Sequence, residues 1–421
     1  MTRPLIFILF FLLGSLSLTG QQAKRVLFLG NSYTQVNDLP QILTDVAASV
    51  GDTVITDQST PGGYTLQLHT TNATSLNKIM MGGWDFVVLQ EQSQLPSFPI
   101  NQVMTDVYPY ARFLDSLVNA HNPCAETVFY RTWGRKNGDA SNCSWWPPVC
   151  TYQGMDSLLQ LRYMMLADSN EAIVSAVGAV WKYIRQNYPG IELYQMDESH
   201  PSQAGSYAAA CCFYTTLFRK DPSLITYNYT LSESDAHLIR SAVKQVVYSH
   251  LMYWHIGEYD PVSDFSHELQ DDLRVAFTNL SDGATDFVWD FGDGEQSIEI
   301  NPEHTFPASG TYDVQLVAAH CQRADTIQQQ VFVVLTETTL RSKEIPEVYP
   351  NPVTDKLQIK WVEGELTAIH LLDASGVLLP DPAVMENPFR AELDLSTNKP
   401  GTYLLKVEIN GEEHVFKLLK K

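Results

Sequence analysis

An α/β domain on a parallel sheet, followed by two small all-β sandwiches, is the architecture the sequence predicts. Three observations carry it. From Arg25 to about Tyr259, short apolar runs alternate with helical patterns, as in chained βαβ units. From about Pro261 the strands shorten and turns become frequent. Beyond Ile345 a second series of short strands runs to a basic tail. With 421 residues, 44% of them hydrophobic, the chain can build two or three domains with cores of their own.

Residues 1–20 read as a signal peptide. Arg3 supplies the positive start, and "PLIFILFFLLGSLSL" is too short, and too soon followed by polar residues, for a secure membrane span. Cleavage is expected after about Gly20, with Ala23 as the other position. No later segment is long and apolar enough to span, so no membrane span is expected in the mature chain. Strands are then expected at Val26–Gly30, Thr53–Thr56, Phe86–Leu89, Thr127–Arg131 and Leu193–Met196. A helix is expected over Asp156–Asn170, with Leu158, Leu161, Met165 and Leu166 near one face. Ser232 and Asp235 form a capping pair for a last helix whose apolar face is Ile239, Val243, Val246 and Val247.

A net charge of −21 leaves no concentration of Lys or Arg for phosphate, which excludes a nucleic-acid binder. Six cysteines fit an oxidising compartment. A disulfide between Cys143 and Cys150 would close the loop "SWWPPV"; Cys211 and Cys212 read as core residues of an apolar helix; Cys124 and Cys321 have no evident partner. None has metal spacing, and nothing calls for a metal or another cofactor.

Chemistry is concentrated in two stretches. "VLFLGNSYT" runs from a buried strand straight into Ser32 on a Gly-Asn turn. An N-cap on a strand-to-helix loop would explain that serine without any function. The second stretch, "YQMDESHPSQAG", sets Asp197 and His200 three residues apart, ahead of a helix start marked by Pro201 and Ser202. That spacing lets Asp197 take the Nδ1 hydrogen of His200 while Nε2 faces Ser32.

The order Ser, Asp, His, with the last two packed into one D-x-x-H, resembles the SGNH (GDSL-like) hydrolase family over roughly Arg25 to Asp221. The resemblance implies a flavodoxin-like parallel-sheet hydrolase domain over residues 24–260, with catalytic Ser32, Asp197 and His200. It further implies oxyanion donors. "STPGGYTLQLH" offers Gly63, with Gly62 as the alternative; "WDFVVLQEQSQ" offers Gln90, favoured because it directly ends the apolar strand, with Gln92 open. Most of the family has Asn at that amide position and Asp where Asn31 stands, so the likeness is to an atypical branch. Each residue alone has an ordinary structural reading; together, in order and each after a predicted strand, they favour the catalytic one.

The implied function is a secreted serine esterase that deacylates a carbohydrate or another extracellular ester through an acyl-enzyme. The alternative is a non-catalytic surface protein that binds carbohydrate on the same fold, which the Gln and Asn departures motivate. Trp133, Trp145, Trp146 and Tyr152, in a long irregular insertion, are candidates for a sugar-binding lid, or simply part of a disulfide-closed surface loop.

"FVWDFGDG" followed by "HTFPASGTYDVQL" resembles the PKD family of immunoglobulin-like sandwiches over residues 261–336, with Asp290 and Asp293 expected to shape a turn. Tyr349-Pro350-Asn351-Pro352, "LLDASG", Pro400-Gly401-Thr402-Tyr403 and the terminal lysines resemble the C-terminal sorting domain of the type IX secretion system of Bacteroidetes, over residues 345–421. That implies the secretion machinery as a partner and a secreted or cell-surface location.

Overall fold

The computed structural model describes residues 23–270, 273–334, 345–362, 365–380, 383–387 and 389–421. The expected signal peptide lies outside them, as does most of the expected linker before Ile345. The chain forms two compact units. The first holds residues up to 263 together with 281–286 and 318–326; the rest belong to the second.

In the first unit the chain order is β1 (Lys24–Leu29), α1 (Ser32–Gln35), α2 (Leu39–Ala48), β2 (Val54–Ser59), α3 (Leu66–His69), α4 (Ala73–Met80), β3 (Phe86–Leu89), α5 (Ile100–Asp106), α6 (Tyr108–His121), β4 (Glu126–Tyr130), α7 (Tyr152–Asn170), β5 (Ile173–Ser175), α8 (Val177–Asn187), α9 (Gln203–Phe218) and α10 (Glu233–Val246). The five strands are parallel, in the order β2-β1-β3-β4-β5. This is the flavodoxin-like order, whose ligand crevice lies outside the carboxyl ends of the strands where the order reverses. Here that point lies between β1 and β3. Val26 to Leu29 and Val87 to Leu89 are wholly buried, which explains why these strands read as continuous apolar runs and not as alternation.

Register brings the strand ends together. Leu29 pairs with both Ser59 and Leu89, and Leu89 pairs with Phe129. Whatever follows β1, β2, β3 and β4 therefore emerges along one edge.

Several expectations need correction. The fifth strand is Ile173–Ser175 and not Leu193–Met196, where there is only one antiparallel bridge, between Tyr194 and Pro201. The buried face of α7 carries Met155, Leu159, Tyr163 and Leu166, while Leu161 is exposed. The helix begins earlier than expected, capped by Thr151, and its polar Asp156 and Arg162 are buried too. Asp156 pairs with Arg131 at 2.9 Å inside the protein, so one inward position is ionic and the apolar period is broken. Cys124 and Cys321 do have partners, namely each other. Cys143 and Cys150 are bonded as expected, and Cys211 and Cys212 are buried thiols. Ser232 caps α10 by accepting from the Asp235 N–H at 3.1 Å, and Ser202 caps α9 in the same way from Gly205.

The PKD region contains β6 (Phe265–Leu269), β7 (Arg274–Asn279), β8 (Asp286–Asp290), β9 (Gln296–Ser297), β10 (Glu303–Thr305), β11 (Gly310–His320) and β12 (Arg323–Val333), in two sheets, β10-β7-β6 and β12-β11-β8-β9. Phe265, Phe277, Trp289, Val314 and Leu316 form its core. Asp290 accepts from the Gly292 N–H and Asp293 from the Glu295 N–H, so both shape the turn. Asp293 also holds the His304 ring at 2.7 Å.

The last region has β13 (Glu347–Tyr349), β14 (Lys356–Lys360), β15 (Leu366–Asp373), β16 (Ala383–Asn387), β17 (Arg390–Asp394), β18 (Gly401–Ile409) and β19 (Glu412–Lys420), again in two antiparallel sheets. Asn351 of the Tyr-Pro-Asn-Pro motif bonds β19 twice, accepting from Leu419 N–H and donating to Lys417 O. The motif thus holds the terminal strand.

Candidate active site

Ser32 sits where β1 ends. Asn31 caps α1, accepting from the Tyr33 N–H at 3.1 Å. As the first residue of the helix, Ser32 has an N–H without an intrahelical acceptor. The turn is tight. A Cβ on Gly30 would stand 2.7 Å from both Gln90 Oε1 and Thr34 Oγ1, so only glycine fits there. His69, buried on α3, bonds Gly30 O at 2.9 Å through Nε2 and Ser75 Oγ through Nδ1. A carbonyl can only accept, so Nε2 carries a proton. Nothing in the sequence marks His69, which lies 39 residues from the turn it supports.

Asp197 and His200 lie on the loop between α8 and α9. His200 Nε2 is 2.8 Å from Ser32 Oγ, and His200 Nδ1 bonds Asp197 Oδ2. Asp197 Oδ1 also accepts from the Ser199 and His200 N–H groups, at 3.1 and 3.0 Å. The three residues named from the sequence therefore form one continuous chain of hydrogen bonds. Partial burial pushes the Asp197 carboxyl up, but the bonds from the His200 ring and the two backbone N–H groups outweigh it and hold it below the usual carboxylate range. It stays an acceptor, which keeps the His200 proton on Nδ1 and leaves Nε2 free to take one. The site is open to solvent: the side chains of His200 and Asp197 are 32% and 47% exposed.

The Gly62-Gly63 turn approaches from β2. Asn31 Nδ2 donates to Tyr64 O at 2.9 Å, which docks this turn beside Asn31 and Ser32. Gly63 has φ of +72°, a conformation that favours glycine, and it is exposed. Tyr64 N–H bonds back to Pro61 O.

Gln90 does not hold the place expected for a free amide donor. It is fully buried, and both hydrogens of Nε2 are taken, by Asn31 Oδ1 at 2.8 Å and Glu91 O at 2.6 Å. Its Oε1 accepts from the Asn31 N–H and from Thr34 Oγ1. It is a brace beneath the turn. Gln92 is engaged as well, donating to Gln94 Oε1 at 3.0 Å and accepting from Gln94 N–H. Between them Glu91 is wholly buried and accepts from the Leu66 N–H, at 3.2 Å from Oε2, and from the Gln92 N–H. Burial pushes its carboxyl up to about 8, against the pull of those two donors.

The insertion after β4 divides unexpectedly. Trp133 is wholly buried and Tyr152 nearly so, which removes both from any lid. Trp133 stacks between Tyr33, at 4.7 Å, and Trp181, at 3.7 Å. Trp146 is partly buried, its indole N–H donating to Ser97 O, and Trp145 is 49% exposed beside Phe98. Asp139, buried in the insertion, takes a bond from Gln94 at 2.6 Å and so ties the insertion to the loop after β3.

Among known proteins, residues 261–334 match the family described as PKD domain, and residues 347–421 the secretion system C-terminal sorting domain. The latter marks the chain for export to the cell surface or beyond it. Among the described residues no helix is long and apolar enough to cross a membrane. No curated protein matches the chain. Among solved structures, the chain is similar to a DUF4886 family protein from Bacteroides uniformis at 15% identity, over 55% of this chain and 96% of that one, with a TM-score of 0.48. It is similar to a protein from Slackia heliotrinireducens described as a candidate SGNH hydrolase at 26% identity, over 46% of this chain and 98% of that one, with a TM-score of 0.38. It is also similar to the PKD1 domain of a Vibrio cholerae metalloprotease at 30% identity, over 18% of this chain and 99% of that one, with a TM-score of 0.17.

Proposed function

We propose that the first unit is a serine esterase of the SGNH type. The observation that carries the reading is the Ser32–His200–Asp197 chain, with 2.8 Å between Oγ and Nε2, at the carboxyl edge of a parallel sheet. In this reading His200 Nε2 takes the Ser32 proton as Oγ attacks the ester carbonyl, and Asp197 holds the resulting imidazolium. The tetrahedral oxyanion is met by the Ser32 and Gly63 N–H groups. Gln90 acts by fixing the turn that aims the first of these. His200 then hands its proton to the leaving alcohol. A water deprotonated by the same ring splits the acyl-enzyme and restores Ser32.

The solvent exposure of His200 and Asp197 and the export signal favour an ester outside the cell, and the PKD module favours one borne on a polymer. An acylated carbohydrate is the substrate class this supports best, with the exposed ring of Trp145 available for a sugar. The test is hydrolysis of p-nitrophenyl acetate and of an acetylated oligosaccharide by the purified protein. Both activities should disappear in Ser32→Ala. A wild-type protein that hydrolyses neither, and whose Ser32 is not labelled by an organophosphonate, would leave a binding protein on this fold.

A further inference from the structure

Asp197 and His200 are brought together by the loop between α8 and α9. Met196 is fully exposed, and Glu198 has φ of +60°, a left-handed conformation costly for any residue with a Cβ. The loop's own backbone-to-backbone bonds are Glu198 N–H to Gln195 O and Gln195 N–H to His200 O, beside the bonds that Asp197 accepts from the Ser199 and His200 N–H groups.

The remaining support comes from the strap Trp133–Asn137, directly after β4, and from Tyr33. The Trp133 indole N–H donates to Ser199 O at 3.0 Å, and Tyr33 Oη is 2.6 Å from Ser199 Oγ. Lys136 N–H donates to Glu198 O, and Asn137 Nδ2 to Glu198 Oε2, both at 2.9 Å. Tyr194 Oη closes the set by donating to Gly134 O. Both residues between the acid and the base are therefore gripped, each at its carbonyl and at its side chain. The strap is itself anchored. Trp133 is sandwiched by Tyr33 and Trp181, and Arg185 donates to Lys136 O at 3.0 Å.

We infer that Tyr33, Trp133 and Asn137 are positioning residues that set His200 against Ser32 by clamping Ser199 and Glu198. The inference rests on the proposed serine chemistry for its consequence in turnover, but not for the clamp itself. Tyr33 adjoins the nucleophile in sequence and reaches the acid–base loop in space, so one residue couples the two halves of the site. Displacing reacting groups by about an ångström costs on the order of 100-fold in rate. A partial release of the clamp should therefore be visible in kcat.

Tyr33→Phe keeps the stacked ring and removes only the hydroxyl. It should lower kcat about tenfold with KM within about twofold, and speed hydrogen exchange at the amides of residues 196–200. The kcat loss should vanish when Tyr33→Phe is placed in a Ser32→Ala background. Asn137→Asp sets two carboxylates together and should also lower kcat. Adding Glu198→Gln restores the bond with donor and acceptor exchanged, and should restore kcat. Wild-type kcat and wild-type exchange in Tyr33→Phe, or no recovery in the exchanged pair, overturn the inference. If the wild-type protein hydrolyses no ester, the proposed activity falls, and exchange in residues 196–200 alone decides the clamp: faster in Tyr33→Phe supports it, unchanged refutes it.

Discussion

Gln90 and Asn31 bond each other twice: Gln90 Nε2 donates to Asn31 Oδ1 at 2.8 Å, and the Asn31 N–H donates to Gln90 Oε1 at 2.9 Å. The pair spans the point where strand order reverses and locks the Ser32 turn to the end of β3. Gln90→Ala would leave the buried Asn31 N–H and Thr34 Oγ1 without their acceptor, and Asn31 Oδ1 with the Tyr33 N–H alone. We expect a stability loss of about 1–3 kcal/mol together with reduced turnover. Chemical denaturation and kinetics on one preparation check this. Turnover lost about 100- to 1,000-fold at unchanged stability would instead mean a direct oxyanion donor.

Ser32→Ala should leave the melting temperature within a degree or two, because the hydroxyl is partly exposed and at the surface of the cleft. Ester turnover should fall by at least about 1,000-fold, the remainder coming from binding and oxyanion contacts. Turnover close to that of the wild type would move the nucleophile elsewhere.

Glu91 makes stability depend on pH in a direction that can be stated. Its carboxyl is pushed from an ordinary 4.5 to about 8 by burial. Between those values the folded chain holds a proton that the unfolded chain has released. Stability from this group is therefore complete below pH 4.5 and is lost as pH rises towards 8, by at most about 1.4 kcal/mol per pH unit. Glu91→Gln should match the wild type near pH 5 and become relatively more stable by pH 8. Parallel melting curves across that range would contradict it.

Removing residues 345–421 should leave turnover of the purified protein unchanged, since every residue of the Ser32–His200–Asp197 chain lies in the first unit. In a host with the matching secretion system, the shortened protein should accumulate in the periplasm. Cell fractionation reads this directly, and normal amounts at the surface would contradict the sorting role.

Opening the Cys124–Cys321 bond by changing both residues to Ala should cost about 2–5 kcal/mol, because it closes a long loop in the unfolded chain. Thermal unfolding with and without reductant provides the measure.

The parts of the site that were legible in the sequence are those written locally. Ser32 follows an unbroken apolar strand, and Asp197 and His200 share one loop three residues apart. A parallel sheet with its loops along a common edge followed from the βαβ pattern. What escaped was set by distance or by brevity. β5 has three residues, too few to show any period. The buried ion pair of Arg131 with Asp156 rotated the apparent face of α7. His69 and Gly30, or Cys124 and Cys321, meet only once the sheet has formed. Gln90 was legible as the residue that ends β3 but its four bonds were not, because sequence gives an amide's position and not which hydrogens are already spent.

Cys211 and Cys212 have a consequence for how the chain reaches this state. Burial pushes both thiols up to about 12, so at neutral pH almost no thiolate is available to attack a disulfide. The folded protein thus carries two dormant cysteines alongside two finished bonds. That dormancy exists only after α9 has packed. Before then, two adjacent thiols compete with Cys124, Cys143, Cys150 and Cys321 for every partner. Packing of α9 therefore favours correct oxidation, because it withdraws Cys211 and Cys212 from that competition.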